Sequence, residues 1–415
     1  MTMKSLCAAA TGAVIVAVAV AAPAWLAPVV HAAERIGAAL AVICGVCAVI
    51  GIAYTVTTAR LVGRFFARTV PAPASYPAVT LVKPLHGDEW DLERQLASFF
   101  EQDYPGPVQW LFGVHDSSDP ALKTVDALRQ RYPHAHVTVV ADSRLHGPNR
   151  KVSNLVNMLP AVEHDVLCFA DSDVTVEPDF LRNVIGELQQ PDVGLVTCVY
   201  RGQCQPGFWS RVSAAATDYQ FMPGVITGLA IGRARPCFGQ TIAMTRDMLQ
   251  RIGGLTRFAS HLAEDNAIGE AIRETGAKVA IPPFVIRHAC AETTFSRLVS
   301  HELRWSRTIR AIDRGGHFGS ALTYPLAFAL LAALMSGGAA WSWPLVALAF
   351  VARCVLKRKV DRATGEQRRG LWVLPISDIV SFAIFVASFL SGRVVWRGVD
   401  LSVDGKGQLY PLRND

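Results

Sequence analysis

Two long apolar runs open the chain, Leu6 to Val30 and Ile36 to Thr58, with Glu34 and Arg35 as the charges between them. In the first, Lys4, an alanine-valine stretch and "VVHAA" fit a signal peptide, while the length of the run with Pro23 and Pro28 also fits a span. We read it as a span or an uncleaved extension. The second run is long enough to cross a bilayer and is followed by Arg60, Arg64 and Arg68. The excess of arginine after it predicts that the next part of the chain is cytoplasmic.

The pattern changes after the proline-rich linker "TVPAPASYPA". From Val79 to about Arg314, short apolar runs ("VTLVK", "VQWLFGV", "HVTVV", "VLCFA", "VGLVTCV") are separated by helical stretches such as "DEWDLERQLASFFEQ" and "PALKTVDALRQRY". Strands alternating with helices of this length predict an α/β domain with parallel strands, whose ligands gather at the carboxyl ends of the strands. Beyond Arg314 the apolar character returns. Ser320 to Ala352 carries no charge and is too long for one helix, and "SGGAAWSWP" in its middle supplies a turn with interfacial tryptophans. A hairpin of two short spans is expected, its flanks held at the cytoplasmic face by Arg307, Arg310 and Arg314 before it and by Arg353, Lys357, Arg358 and Lys359 after it. A last run, Leu371 to Leu390, contains Pro375 and Asp378 and fits a span, a re-entrant piece or an interfacial helix. The expected organisation is a membrane region over 1–68, a cytoplasmic domain over 79–314, and a second membrane region with a tail over 315–415.

Composition agrees with membrane segments: of 415 residues, 51% are hydrophobic and only 18% charged. The net charge of +6 raises nucleic acid as a partner, but no basic stripe interleaves with aromatics in the central region. Basic residues crowd beside the apolar runs instead, which points to anionic headgroups and away from nucleic acid. The nine cysteines are scattered and odd in number, so no disulfide framework is implied, and Cys44 and Cys47 in "VICGVCAVI" read as small packing residues.

Acidic residues fall where a parallel sheet would present them. "WLFGVHDSSDP" ends a strand at His115-Asp116, and "VLCFADSD" ends another at Asp171 and Asp173. "HLAEDNAIGEAIRETG" sets Glu264 and Asp265 at the start of a helix with Ala267, Ile268, Ala271 and Ile272 on its apolar face. Singly, each is more often a turn or cap residue. Jointly they supply what nucleotide-sugar chemistry needs: Asp116 to accept hydrogen bonds from uracil and ribose, the Asp171/Asp173 pair to hold a divalent cation against a diphosphate, and Asp265 to take a proton from an acceptor hydroxyl. Glu177 and Asp179 keep the ordinary task of opening the next helix.

The order "VHDSSDP", "FADSDV", "LAEDN" and then "RW" resembles the family-2-like glycosyltransferases of GT-A fold, and especially the ceramide glucosyltransferase group. Two longer stretches, "VKPLHGDEWDLERQLASFFEQDYPGPVQWLFGVHDSSDPA" and "HELRWSRTIRAIDRGGHFGSALTYPLA", look like the bacterial hopanoid-biosynthesis-associated glycosyltransferases. The resemblance runs from about Val79 to the C-terminus. It implies a GT-A domain with transmembrane helices on both sides. Asp116 matches the first aspartate, Asp171 and Asp173 the metal motif, Asp265 the catalytic base preceded by Glu264, and Arg304 and Trp305 the RW of a (Q/R)xxRW motif. That motif's Gln or Arg is His301 here, which can donate a hydrogen bond to the diphosphate and adds a cation only when protonated. Lys151 and Asn154 match a segment whose lysine lies near the nucleotide, and Gly239-Gln240-Thr241 matches the loop that floors the site. Lys83 and Pro84 end the first strand, where the nucleotide should bind. The simpler alternatives are a solvated Lys151 at a helix start, Arg304 on lipid phosphate and Trp305 in the interface.

The activity implied is an inverting transfer of N-acetylglucosamine from UDP-N-acetylglucosamine to bacteriohopanetetrol, with Mg2+ or Mn2+, by a multi-pass protein of the cell inner membrane. Ceramide glucosylation from UDP-glucose, glycan-chain synthesis and a non-catalytic membrane scaffold are the alternatives.

Overall fold

A computed structural model describes residues 27–365 and 370–390 and the short strands 394–396, 399–403 and 409–411. Most of the first apolar run, and with it the choice between signal and span, lies outside these residues, as does the side on which the chain ends.

The central domain is built on a seven-stranded sheet of order β3-β2-β1-β4-β8-β6-β9: β1 is Val79–Pro84, β2 Val108–Val114, β3 His136–Ala141, β4 Val166–Ala170, β6 Val193–Thr197, β8 Thr241–Thr245 and β9 Lys278–Ala280. β1 and β4 are almost wholly buried, as expected of apolar runs packed on both faces. β1 to β4 pair in parallel in the order 3-2-1-4, but β8 runs antiparallel between β4 and β6. The sheet is therefore mixed, where an all-parallel one was expected. Direction is not encoded in a run like "TIAMT", because burial on both faces demands the same apolar residues whichever way the strand runs. The run "VGLVTCV" also divides at Cys198: β6 stays in the large sheet, and β7 (Val199–Cys204) joins a small second sheet of order β5-β10-β7, with β5 Val174–Thr175 and β10 Val285–Cys290.

Glu177 and Asp179 differ from expectation. The helix after β5 begins at Phe180, but the side chain of Asp179, its cap residue, makes no capping hydrogen bond, and Glu177 pairs with Arg287. An arginine on the neighbouring β10 offers a full opposite charge, which outcompetes the partial charge of a helix end.

The helix Ala27–Phe66 is 40 residues long, and its stretch His31–Phe66 is the one helix among the described residues long and apolar enough by itself to cross a membrane. Ile36, Leu40, Val42, Ile43, Val46, Val49 and Ile50 on it are exposed. The expected hairpin forms between the helices Pro325–Met335 and Ser342–Thr364, turning at Gly337 and Gly338, both of which take positive φ. Both helices pack along the first one around Ala48, Leu326, Ala329 and Ala349. Gly51 permits this approach, since a Cβ there would lie 2.7 Å from the Leu322 carbonyl oxygen. At about 1.5 Å per residue the 11 residues of Pro325–Met335 reach roughly half the hydrocarbon thickness. The preceding stretch Arg314–Thr323 is bent 67° away from it. Two C-terminal spans therefore remain an expectation.

The basic flank after the hairpin is only partly where lipid headgroups would have it. Arg358 and Lys359 are exposed, but Arg353 and Lys357 are buried. Arg353 forms a two-pronged pair with Asp378 (2.8 and 2.6 Å) and donates to the Tyr219 carbonyl (2.7 Å). Lys357 meets Asp361 at 2.6 Å, and Asp361 in turn accepts from the Tyr219 hydroxyl at 2.7 Å. These contacts tie the C-terminal helices to the π-helical turn Thr217–Phe221 of the central domain.

Candidate active site

The parallel pairing of β1 with β4 sets their carboxyl ends side by side, so Lys83 and the Asp171-Ser172-Asp173 loop come together. Lys83 is fully buried, lies 3.6 Å above the centre of the Phe99 ring, and donates to the Asp171 carbonyl at 2.8 Å. Burial pulls its pKa down to about 7 against the attraction of Asp171 and Asp173. Spacing alone gave this lysine little weight, because nothing in a strand's sequence says what its last side chain will meet.

Lys151 is the hub. It stands in the first turn of the helix Arg150–Met158, which Asn149 caps by accepting from the Val152 N–H at 3.1 Å. Its Nζ is 2.6 Å from Asp171 Oδ1, 3.1 Å from Glu264 Oε1 and 3.4 Å from the Gly239 carbonyl oxygen. Burial opposes its charge, but Asp171 and Glu264 more than offset this and raise its pKa, so it stays protonated. Asn149 uses its amide as well, donating to Glu264 Oε2 at 3.1 Å and to the His261 carbonyl at 2.9 Å. Sequence reading missed Asn149; its position just before a helix is the signal that could have found it. It also missed Glu89, which accepts from the Ser172 hydroxyl at 2.6 Å.

Asp265 lies beside this hub at the start of the helix Glu264–Glu274. Its Oδ2 accepts from the Gly239 N–H at 2.9 Å and its Oδ1 from the Asn266 N–H at 2.8 Å. Burial and then the neighbouring Glu264 push it up to about 6, with Lys151 pulling the other way. Gln240 contributes its carbonyl, which accepts from the Asp171 N–H at 3.1 Å. Gly239 is needed for space: a Cβ would sit 3.1 Å from Lys151 Nζ and 3.3 Å from Asp265 Oδ2. Gly239→Ala is expected to displace one of these two groups and slow turnover by roughly 10- to 100-fold, since misplacing a catalytic group by ~1 Å costs up to that much. Initial rates on the purified variant check it.

A second cluster adjoins the first. His301 and Trp305, on the helix Phe295–Ile312, have ring centres 4.7 Å apart, and His301 Nδ1 is held by the buried Glu292 at 2.5 Å. Trp305 also packs against Tyr200, His288 and Phe221 at 6.2, 5.8 and 6.3 Å. Trp305 is thus partly buried against the domain's core. Arg304 is half-buried on the same helix. Asp116 is exposed, and the Ser118 N–H and hydroxyl (2.8 and 2.7 Å) hold its carboxyl below its ordinary value.

Asp171 and Asp173 have different partners. Asp171 faces Lys151, and Asp173 Oδ2 lies 3.4 Å from His288 Nδ1. Among the described residues no group of three or more His, Cys, Asp or Glu is gathered tightly enough to enclose a metal ion. The chemistry still fits a cation. Four carboxylates (Asp171, Asp173, Glu264, Asp265) face two lysines, and Asp173 Oδ1 is buried without a hydrogen-bond partner among the described residues. Burial raises Asp171, whereas His288 first, then Lys151 and Lys83, overcome burial and lower Asp173.

The chain is similar to several known proteins. "Glycosyl transferase family 21" matches residues 41–409. Ceramide glucosyltransferase 1 of Caenorhabditis elegans is 24% identical over 243 residues, covering 58% of this chain and 52% of that protein. The ceramide glucosyltransferase of Komagataella phaffii is 32% identical over 113 residues, 26% and 22% of the two chains. The chain thus matches about half the length of the first relative and about a fifth of the second. A Pyrobaculum calidifontis mannosyltransferase solved with GDP-Man and Mn2+ superposes with a TM-score of 0.49 at 21% identity, covering 85% of this chain and 98% of that one. The protein defined by this sheet and family match is a glycosyltransferase of mixed α/β fold. It belongs to glycosyl transferase family 21.

Proposed function

We propose that the chain is an inverting GT-A membrane glycosyltransferase that moves N-acetylglucosamine from UDP-N-acetylglucosamine to a hydroxyl of a hopanoid lipid such as bacteriohopanetetrol. The observation that carries the transferase reading is the half-buried Asp265, held by the Gly239 N–H beside Lys151 and the carboxyl end of β4. Its proton affinity near pH 6 suits a general base. In the reaction the acceptor oxygen bonds to the anomeric carbon from the face opposite the diphosphate, the bond from that carbon to the diphosphate oxygen breaks, and the hydroxyl proton passes to Asp265. Lys151 and Lys83 offer positive charge beside the departing diphosphate, and His301 a hydrogen-bond donor. A divalent cation, for which Asp171 and Asp173 are the expected ligands, supplies Lewis-acid neutralisation of the diphosphate when bound.

The acceptor class rests on chain continuity. The helix carrying Arg304 and Trp305 leads through Arg314–Gly319 into the apolar hairpin, so a lipid alcohol would reach Asp265 from the bilayer side. Arg60, Arg64 and Arg68 at the end of the first helix favour a cytoplasmic catalytic domain on a multi-pass protein of the inner membrane. The hopanoid acceptor is supported by the resemblance of the "HELRWSRTIRAIDRGGHFGSALTYPLA" stretch. A ceramide acceptor with UDP-glucose is the second reading, favoured by the names of the relatives.

The test uses membranes containing the protein, labelled UDP-glucose or UDP-N-acetylglucosamine, and either bacteriohopanetetrol or ceramide, with and without EDTA. The expected result is a labelled hopanoid, lost on chelation and restored by excess Mn2+ or Mg2+. Product with ceramide alone would remove the acceptor assignment, and full activity in EDTA would remove the cation.

A further inference from the structure

Glu292 is a buried acid to which the proposed chemistry gives no task. It lies just past the end of β10 and is 7% exposed. A carboxylate so deep is costly unless a donor or a positive charge meets it. The donor is His301: its Nδ1 lies 2.5 Å from Glu292 Oε1, and this is the one hydrogen bond the ring makes among the described residues. Burial raises the Glu292 pKa, but the hydrogen bond and charge of His301 more than offset this and lower it, so the carboxyl is ionised. The pair is fixed from both sides. The Ser210 hydroxyl donates to the Glu292 carbonyl at 3.0 Å, and the Trp305 ring meets that of His301 edge-on with 4.7 Å between centres. His288, whose ring is centred 6.5 Å from that of His301, is in turn 3.4 Å from the Asp173 carboxylate. His301 is therefore one ring removed from the Asp171-Ser172-Asp173 loop, with its side chain 25% exposed.

The carboxylate decides which nitrogen carries the proton. An ionised carboxylate can only accept, so Nδ1 is the donor, and in a neutral ring Nε2 is then a bare lone pair. A lone pair repels a diphosphate oxygen. His301 can donate there only with a second proton, taken from water, which makes the ring a cation, and a carboxylate beside Nδ1 favours that state. We infer that Glu292 is a positioning residue that orients the His301 ring and holds it as an imidazolium, so that a charged Nε2–H meets the diphosphate of the sugar donor. This rests on the transferase reading, in which His301 is a hydrogen-bond donor, and adds that the donor is charged and that a residue outside the RW motif makes it so. Two further titratable groups face the pair, Glu302 on the same helix and His288 on β10. Burial, helped by Glu292, keeps Glu302 above its ordinary range against the pull of His301 and His288, so Glu292 is the more readily ionised of the two acids.

The experiment measures binding of UDP and of uridine to the purified full chain in detergent, at neutral pH with excess Mn2+, by titration calorimetry. Uridine shares the base and ribose but has no phosphate, so it reports the shape of the nucleotide site without the charge. Glu292→Gln is expected to weaken UDP by ~10-fold or more, the size of one charge-assisted hydrogen bond, and to leave uridine unchanged. His301→Gln should do the same, and Glu292→Gln placed on top of it should cost nothing further. Arginine is charged without help from a carboxylate, so His301→Arg/Glu292→Gln should restore the UDP affinity that Glu292→Gln loses. A loss of uridine equal to that of UDP, or a loss that His301→Arg fails to restore, overturns the inference and makes the pair a structural brace, with the transferase reading intact. Undiminished UDP binding by a folded His301→Gln overturns it as well, which keeps the test decisive if Glu292→Gln fails to fold. A wild-type chain that binds no UDP removes the nucleotide-sugar reading and the inference with it.

Discussion

Asp265→Asn is expected to reduce transfer by roughly 10²- to 10⁴-fold, the range by which a positioned general base accelerates proton transfer. Asparagine keeps the shape and can still accept from the Gly239 N–H, so the loop that Asp265 anchors stays in place. What is lost is the capacity to take the acceptor's proton. The pH profile separates this from a merely structural effect. Asp265 titrates near 6, so below that pH it is protonated and idle: kcat/KM of the wild type should fall as pH drops through about 6. The residual rate of Asp265→Asn should lack that limb. Stability moves the other way. A carboxyl whose folded pKa is raised contributes most at low pH and loses that contribution as pH rises from its ordinary value through about 6. Replacing it with a neutral amide should leave the melting temperature at pH 7 unchanged or slightly higher. Wild-type turnover from a folded Asp265→Asn would remove Asp265 as the base.

The parts of this site differ in how far the sequence displays them. Asp171, Asp173, Glu264 and Asp265 were legible because acidic residues at the ends of buried strands and helix starts violate the apolar pattern around them, and the interruption itself is the signal. Their partners were not. That Lys151 would join Asp171 to Glu264 depends on the meeting of β4 with two distant helices, and no local pattern carries a contact across 113 residues of chain. His288 was hidden for the same reason: within "VIRHAC" it alternates as any strand residue would, and only the pairing of β10 with β5 makes it a neighbour of Asp173. β1 to β4 and the run holding β6 and β7 were found from apolar runs, but β8, β9, β10 and the break at Cys198 were not, since short runs such as "TIAMT" carry little pattern of their own and burial fixes composition and not orientation. Arg304 and Trp305 were assigned by motif, and the packing of Trp305 against Tyr200, Phe221 and His288 supplies a physical reason for the tryptophan that the motif lacked.

The largest stability effect is expected away from the site, at Arg353→Met. Asp378 was ambiguous in the sequence, an acid within an apolar run, and the structure accounts for it: Arg353 meets it with two hydrogen bonds while both side chains are about 3–4% exposed. Removing the guanidinium strands a buried carboxylate and also leaves the Tyr219 carbonyl without its donor at 2.7 Å. Breaking one side of such a buried pair costs about 3–5 kcal/mol, whereas replacing both partners with apolar residues of similar volume is often neutral. Arg353→Met should therefore lower the unfolding temperature sharply in detergent, and Arg353→Met/Asp378→Leu should recover most of the loss, a coupling that a double-mutant cycle reads directly. Activity should follow the same order, because Tyr219 belongs to the turn Thr217–Phe221 and Phe221 packs on Trp305 at 6.3 Å. A single Arg353→Met variant as stable as the parent would show that the C-terminal helices are held by apolar packing alone, through surfaces such as that around Ala48 and Ala329.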